Sequence, residues 1–212
     1  MKHKVLSMEK QKYISDLEDI RDMMDRSSRF ISLSGLSGVV AGTLALIGAW
    51  LAYQTVYARQ NYLSYRKAML NFDTTTQLLG IAVTVLVLSV FFGILLTQRK
   101  AKKNNQRIWD AQSRRLIINL FIPLAAGGLL CLILLFKGFI GLVAPMTLVF
   151  YGLGLINASK YTLTEVRSLG IAEVILGLVA CQLEGYGLLF WAVGFGVLHI
   201  IYGIIMHFKY GS

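Results

Sequence analysis

The chain has 212 residues, of which 56% are hydrophobic and 15% charged, and its formal net charge at pH 7 is +10. An ordinary soluble domain carries about 25% charged residues, so this composition excludes a typical soluble globular protein. The apolar residues are also too many for a polar shell of this size to cover.

Six apolar runs account for most of the chain. Each approaches the roughly 20 apolar residues that cross a hydrocarbon layer of about 30 Å. They predict an all-α, polytopic integral membrane protein with a bundle of six transmembrane helices at 30–207. The predicted spans are 30–53, 77–97, 116–136, 139–156, 168–183 and 187–207.

The segment before the first run is polar and predicts a separate element. In residues 8–29, apolar side chains follow three- and four-residue steps, as in an amphipathic helix, so 1–29 is predicted to form a cytoplasmic amphipathic helix. This helix could pack on the bundle or headgroups, or it could bind a partner protein or a second copy of the chain. Since 1–29 contains no apolar run, we expect no cleavable signal peptide.

The first span has small residues at a spacing of four, namely Ser34, Gly38 and Gly42. Small residues allow two helix backbones to approach closely in lipid. This face is predicted to pack against another helix of the same chain, with a homo-oligomer contact as the alternative.

The loop between the second and third spans is strongly basic. We expect its side chains to contact anionic lipid headgroups, each contributing about 1 kcal/mol near a charged leaflet. A nucleic-acid partner is disfavoured, because the run lacks interleaved aromatic residues and a recognised binding fold. The predicted headgroup contacts are Arg99, Lys100, Lys102, Lys103, Arg107, Arg114 and Arg115.

The fourth and fifth runs are short, and the fifth contains an acidic residue. Glu173 lies about one turn inside the predicted fifth span. A carboxylate in a spanning helix costs about 2.5–3.5 kcal/mol on insertion scales, so it normally faces the bundle or a cavity. An interfacial carboxylate reached by headgroup water is the structural alternative to a functional one.

The sixth run supplies a predicted partner for this acid. His199 lies in the inner half of that span, and a tight turn makes the fifth and sixth helices antiparallel neighbours. A Glu173–His199 contact forms if the two faces meet, and histidine titrates near neutral pH. The full predicted polar site consists of Glu173, His199, Tyr202, Asn119 and Asn157. A fixed structural hydrogen bond remains an alternative to proton relay or pH sensing.

The distribution of Lys and Arg predicts the orientation. With six spans, both termini share a side, and that side carries 17 of these residues against 4 on the other. The positive-inside rule therefore places both termini, including the 208–212 tail, in the cytoplasm. A plasma (inner) membrane is the expected location.

Signals for chemistry are few. Cys131 and Cys181 both lie in apolar runs, and neither they nor the three histidines have metal-site spacing. The sequence predicts no catalytic, metal or cofactor-binding residues and no cofactor. No hydrolase, nucleotide-binding or metalloenzyme motif occurs, so an enzyme is disfavoured.

Three function classes remain. A small transporter or channel is favoured slightly, on the basis of Glu173, His199 and the short helices. A membrane scaffold or sensor acting through residues 1–29 is the main alternative. A lipid-modifying enzyme ranks third, because such enzymes usually carry several intramembrane acids or histidines.

Overall fold

The computed structural model describes residues 34–57, 72–104, 109–183 and 185–211. Within these ranges the chain is helical and contains no β-strand, which confirms the predicted all-α class. The predicted amphipathic helix at 1–29 and the predicted headgroup contact Arg107 lie outside the described residues.

Six long helices follow one another along the described chain. They are α1 (Gly35–Tyr57), α2 (Phe72–Lys103), α3 (Ala111–Phe136), α4 (Ile140–Ala158), α5 (Thr164–Gln182) and α6 (Gly187–Tyr210). A single 3-10 turn at Ser159–Tyr161 separates α4 from α5. The predicted spans underestimate α2 and α5, because charged and polar residues extend both helices beyond their apolar stretches.

Five of these helices are long and apolar enough to cross a membrane, namely α1, α2, α3, α4 and α6. The exception is α5, whose 19 residues include Glu165, Arg167 and Glu173. These charges lower its apolar character although its length, about 28 Å, matches a hydrocarbon layer. The prediction of a membrane-spanning bundle is therefore supported for five of its six helices.

Local sequence signals fix several helix ends. Asp110 is the N-cap of α3: its carboxylate accepts a hydrogen bond from the Ser113 backbone N–H, and the Ser113 hydroxyl accepts one from the Asp110 N–H. This reciprocal pair is a capping box, which satisfies donors that the first helical turn leaves free. At the turn from α3 to α4, Gly138 has φ of +82°, a conformation that favours glycine.

The helices from α3 to α6 run antiparallel to their successors, and α6 contacts helices on both sides of it. On one side α6 packs against α1, which in turn packs against α2. On the other side α6 contacts α4 and α5, and α3 packs on the outer face of α4. Buried side chains on α4, α5 and α6 form the core: Leu155, Leu163, Val166, Leu169 and Met206.

A close helix contact joins α4 to α5 through two glycines. A Cβ atom on Gly152 would lie 2.5 Å from the Gly170 carbonyl oxygen, and one on Gly170 would lie 2.7 Å from the Gly152 oxygen. Neither backbone can yield to such an atom, so only glycine fits at both positions. This contact brings the two helices close enough to bury the side chains between them.

The small-residue face of α1 lies against α6. A Cβ on Gly38 would meet the backbone of Gly203 at 3.2 Å, and one on Gly42 would meet the Gly196 oxygen at 2.6 Å. Ser34, just before the helix, is also buried. The structure therefore places these three residues at a contact within the chain.

Basic residues concentrate at one end of the bundle, which we call the basic end. There Lys100 of α2 donates a hydrogen bond of 2.9 Å to the Gly211 carbonyl oxygen beyond α6. Glu165, at the start of α5, accepts hydrogen bonds from Lys209 and Tyr210 at the end of α6. Nine of the ten described Lys and Arg residues lie at this end: Arg99, Lys100, Lys102, Lys103, Arg114, Arg115, Lys160, Arg167 and Lys209. Lys137 lies at the opposite end, in the α3–α4 turn.

Candidate functional site

Glu173 and His199 lie near the midpoints of their helices. Glu173 is nine residues from Thr164, or about 14 Å, and His199 is eleven residues from Tyr210, or about 17 Å. The sequence predicted shallower positions because it began the fifth span at residue 168. Since α5 and α6 are antiparallel, both side chains reach the same level of the bundle.

The two side chains face each other in the interior. Oε1 of Glu173 lies 3.4 Å from Nδ1 of His199, and the residues are 0% and 7% exposed, respectively. Neither carboxylate oxygen of Glu173 has a hydrogen-bond partner among the described residues. A buried carboxyl group without such partners is costly, so its place here requires an explanation.

Space for the carboxylate comes from Gly194 on α6. A Cβ at this position would lie 2.5 Å from Oε2 of Glu173 and 2.5 Å from a methyl group of Leu148. Leu148, on α4, is itself fully buried. A larger residue at 194 would therefore require the ends of the Glu173 and Leu148 side chains to shift.

A local change in helical winding brings His199 onto the Gly194 carbonyl. Residues Ala192–Leu198 form a π-helical segment inside α6. In an α-helix, residues five apart point about 140° away from each other, whereas π winding makes them neighbours. The Nδ1 atom of His199 accordingly lies 3.0 Å from the Gly194 carbonyl oxygen.

These contacts define which nitrogen of the neutral imidazole carries the proton. The Gly194 carbonyl oxygen can only accept, so Nδ1 must be the N–H donor. The other nitrogen, Nε2, lies 2.8 Å from the Tyr151 hydroxyl on α4 and accepts its hydrogen bond. The Nδ1–H group therefore lies between a carbonyl and the carboxylate of Glu173.

Aromatic rings support this arrangement. The Phe195 ring lies 5.9 Å from the His199 ring at an angle of 22° and 4.9 Å from the Tyr151 ring. Trp191 packs against Phe195 at 5.1 Å. Such contacts between rings restrict the rotation of the imidazole.

The other predicted members of the polar site lie elsewhere. Tyr202 packs against the apolar core between α4, α5 and α6. Asn157 donates a hydrogen bond of 3.1 Å to the Asn119 carbonyl oxygen, and the Asn119 amide bonds the Arg115 carbonyl. This asparagine pair joins α3 to α4 near the basic end, so the predicted layer divides into two groups.

The predicted headgroup contacts also divide. Arg99, Lys102, Lys103, Arg114 and Arg115 are exposed at the basic end. Lys100 instead is 7% exposed, and its ammonium group bonds the chain after α6. Its acceptors among the described residues include the carbonyl oxygens of Tyr210 and Gly211, and headgroup contact by the basic residues stays a prediction.

Neither the cysteines nor metal-ligating side chains form a second candidate site in the described part of the chain. Cys131 and Cys181 are free thiols, and Cys131 lies 3.7 Å from the Val143 carbonyl oxygen. In the part of the chain that the structure describes, no group of three or more His, Cys, Asp or Glu residues could hold a metal ion. Glu173 and His199 thus form the candidate site together with Tyr151 and Gly194.

Sequence reasoning missed Tyr151 and Gly194. A signal existed for Tyr151, because tyrosines in spanning helices concentrate at the interfaces and this one lies in the interior of α4. No comparable signal marked Gly194, since glycines are frequent in membrane helices. Its role depends on the π segment, which periodicity does not predict.

The fold and its apolar helices define an integral membrane protein of the all-helical class. No family model, curated protein or solved structure matches this chain. Its function must therefore be argued from the site itself.

Proposed function

We propose that this protein is a small proton-transporting membrane protein in which Glu173 takes up and releases the proton. The observation that carries this proposal is the fully buried Glu173 carboxyl group, 3.4 Å from His199 and without a hydrogen bond to either oxygen among the described residues. Intramembrane acid–histidine pairs of this kind are typical of proton pathways.

A proton fits this site better than a metal cation. The group nearest the carboxylate is the Nδ1–H of His199, a donor that repels a metal ion and stabilises an ionised carboxylate. The two other oxygens described at the site, the Tyr151 hydroxyl and the Gly194 carbonyl, are both hydrogen-bonded to His199, whereas Ca²⁺ needs about six to eight oxygen ligands.

Few other titratable groups face the pair. On α4 the only one is Tyr151, and on α6 the nearest are Tyr202 and His207, toward the basic end. On α5 itself, Glu165 and Arg167 lie at the start of the helix and Cys181 near its end. The proton affinity of Glu173 therefore depends mainly on its own burial and on His199.

We further propose that α5 is a sixth span and that the basic end faces the cytoplasm of a plasma membrane. This is supported by the antiparallel packing of α5 between α4 and α6 and by its length of about 28 Å. The concentration of described Lys and Arg at one end favours that end as cytoplasmic and close to anionic lipid headgroups.

The scaffold alternative receives less support. That alternative was argued from residues 1–29, which lie outside the described part of the chain, and from the small-residue face of α1. Since Gly38 and Gly42 pack against α6, that face has a partner within the chain.

A flux assay tests the proposal. The purified full-length protein is reconstituted into vesicles of phosphatidylethanolamine and phosphatidylglycerol with a pH-sensitive dye inside, and a potassium diffusion potential drives proton entry. We expect acidification above that of protein-free vesicles and a reduction of about tenfold or more in Glu173→Gln, equal to about 1.4 kcal/mol in the barrier. The matched control is Glu165→Gln, the same change at the start of the same helix, where the side chain bonds Lys209 and Tyr210 and not the site; it should retain the flux. No flux in the wild type, or equal flux in Glu173→Gln, would overturn the proposal.

A further inference from the structure

We infer that Tyr151 is a positioning residue of this site: its hydroxyl holds the His199 imidazole beside Glu173 with Nδ1 as the N–H donor, and thereby sets the pH at which Glu173 exchanges its proton. This inference rests on the proposed function and deepens it. The residue lies on α4, so it also makes a third helix part of the site.

The Tyr151 hydroxyl supplies the hydrogen-bond donor that Nε2 of His199 requires. With Nδ1 donating to the Gly194 carbonyl, Nε2 presents a lone pair to the interior and needs a donor. Of the described groups, the Tyr151 hydroxyl at 2.8 Å is the partner of this nitrogen. The hydrogen bond and the ring contact between Tyr151 and His199, 5.3 Å between centroids, hold the imidazole from one side.

The orientation of His199 matters because it determines which part of the imidazole lies next to the Glu173 carboxylate. In the observed arrangement Nδ1 lies 3.4 Å from Oε1 of Glu173, and its N–H group, which donates to the Gly194 carbonyl, is close enough to the carboxylate to favour the ionised form without a hydrogen bond to it. If the imidazole turned or changed tautomer, the carboxylate would face a lone pair or a ring edge. The proton would then remain bound to Glu173 up to a higher pH.

The exchange step itself is a simple proton transfer. When Glu173 takes up a proton, one O–H bond forms on the carboxylate and the net charge of the pair rises by one. The imidazole stays neutral, with its hydrogen on Nδ1 and its lone pair on Nε2 facing the Tyr151 hydroxyl. Tyr151 neither gives nor takes a proton in this step, which distinguishes a positioning role from a relay.

The first test is the pH dependence of flux in the same vesicles. Removing the hydroxyl in Tyr151→Phe should shift the midpoint of the profile upward by roughly one pH unit, the size expected for the loss of one hydrogen bond at a buried site. His199→Gln should shift it in the same direction. Because Tyr151 acts through His199, the double variant should match His199→Gln alone. Tyr186→Phe, an exposed tyrosine in the α5–α6 turn, is the matched control and should leave the midpoint unchanged.

The second test reads the imidazole directly, by 15N NMR of the histidines in the full-length protein. The wild type should give a His199 signal pair with a protonated Nδ1 and a hydrogen-bonded, unprotonated Nε2, and Tyr151→Phe should lose the hydrogen-bond shift at Nε2. Unchanged nitrogen shifts, an unchanged midpoint, or additive shifts in the double variant would overturn the inference. Absence of flux in the wild type would instead contradict the proposed function, while the NMR result would still decide the role of Tyr151.

Discussion

The Nδ1 atom of His199 lies 3.4 Å from Oε1 of Glu173, midway along two antiparallel helices. The acid is fully buried and neither of its oxygens is hydrogen-bonded within the described residues. Burying an acid in this way lowers the stability of the fold, and it is therefore the strongest indication of function in the molecule. The packing that creates the Glu173–His199 contact, the orientation of the bundle and the proton exchange at Glu173 can each be tested.

Substituting Gly194 should disturb the site most directly. In Gly194→Ala the new Cβ would lie 2.5 Å from Oε2 of Glu173 and 2.5 Å from a methyl group of Leu148, so the ends of these two buried side chains must shift. We expect a loss of about 1–3 kcal/mol in unfolding free energy, as for other overpacked interiors, together with loss of proton flux. Thermal unfolding in detergent measures the first effect. Gly128→Ala is the control, because no atom lies within 4 Å of a Cβ there. Equal stability of the two variants would contradict the assigned role of Gly194.

The contact between α4 and α5 should be equally sensitive. In Gly170→Ala the added methyl group would meet the Gly152 carbonyl oxygen at 2.7 Å and the Ile156 nitrogen at 3.0 Å, both backbone atoms. The helices must separate, and we expect about 1–3 kcal/mol of destabilisation. Gly141→Ala on α4, where a Cβ has open space, should behave like the wild type in the same unfolding assay. A Gly170→Ala protein as stable as the wild type would show that α4 and α5 are not in close contact at Gly152 and Gly170.

The α3 cap gives a prediction with a defined pH dependence. Partial burial raises the pKa of Asp110, but hydrogen bonds from the Ser113 hydroxyl and nearby backbone N–H groups outweigh it, so the pKa lies below its ordinary 3.8. The folded state thus favours the ionised form, and its stabilisation is complete above the ordinary pKa and is lost as pH falls through the lower folded value.

Two substitutions at Asp110 separate the cap from its charge. Asp110→Ala should lower the unfolding free energy at pH 7 by about 1 kcal/mol, and Asp110→Asn, which keeps an N-cap acceptor, by only a few tenths. The difference between wild type and Asp110→Ala should shrink below pH 4 in denaturant unfolding series. A constant difference down to pH 2 would be inconsistent with an ionised cap.

Orientation can be tested by cysteine labelling in whole cells. In a background of Cys131→Ala and Cys181→Ala, Lys137→Cys in the α3–α4 turn should react with an impermeant maleimide in intact cells. Lys102→Cys, at the exposed basic end, should react only after permeabilisation. Labelling of both from the outside would contradict the six-span arrangement with a cytoplasmic basic end.

Much of the fold could be predicted from the sequence, because apolar length is nearly sufficient to locate a membrane helix. The structure confirms the all-α class and supports a membrane protein, with five apolar spans rather than six meeting the length and composition required. The predicted fifth helix departs because it carries Glu165 and Arg167 at its start in addition to the buried Glu173. Its helix also begins earlier than the apolar run, which is why Glu173 lies deeper than expected.

The site could be predicted only in part. Glu173 and His199 were identifiable as ionisable residues inside apolar runs, and the short α5–α6 turn indicated that they lie on neighbouring helices. Tyr151 and Gly194 were not, since their roles follow from side-chain direction and from π winding in α6. The asparagines lie apart from the pair, in hydrogen bonds of α3 and α4, because sequence position gives depth but not the face of a helix.

The central claim is that Glu173 exchanges a proton while buried inside the bundle, and infrared difference spectroscopy on the reconstituted protein tests it most directly. Spectra are recorded from pH 4, near the ordinary carboxyl pKa, to about six units above it at pH 10. They should contain a protonated carboxyl band that disappears as the pH rises. The other Asp and Glu carboxyls of the chain contribute to this band near pH 4, so the readout is the component that differs between variants: Glu165→Gln should retain the Glu173 component and Glu173→Gln should lose it. Identical titrating bands in the wild type and Glu173→Gln would contradict the account.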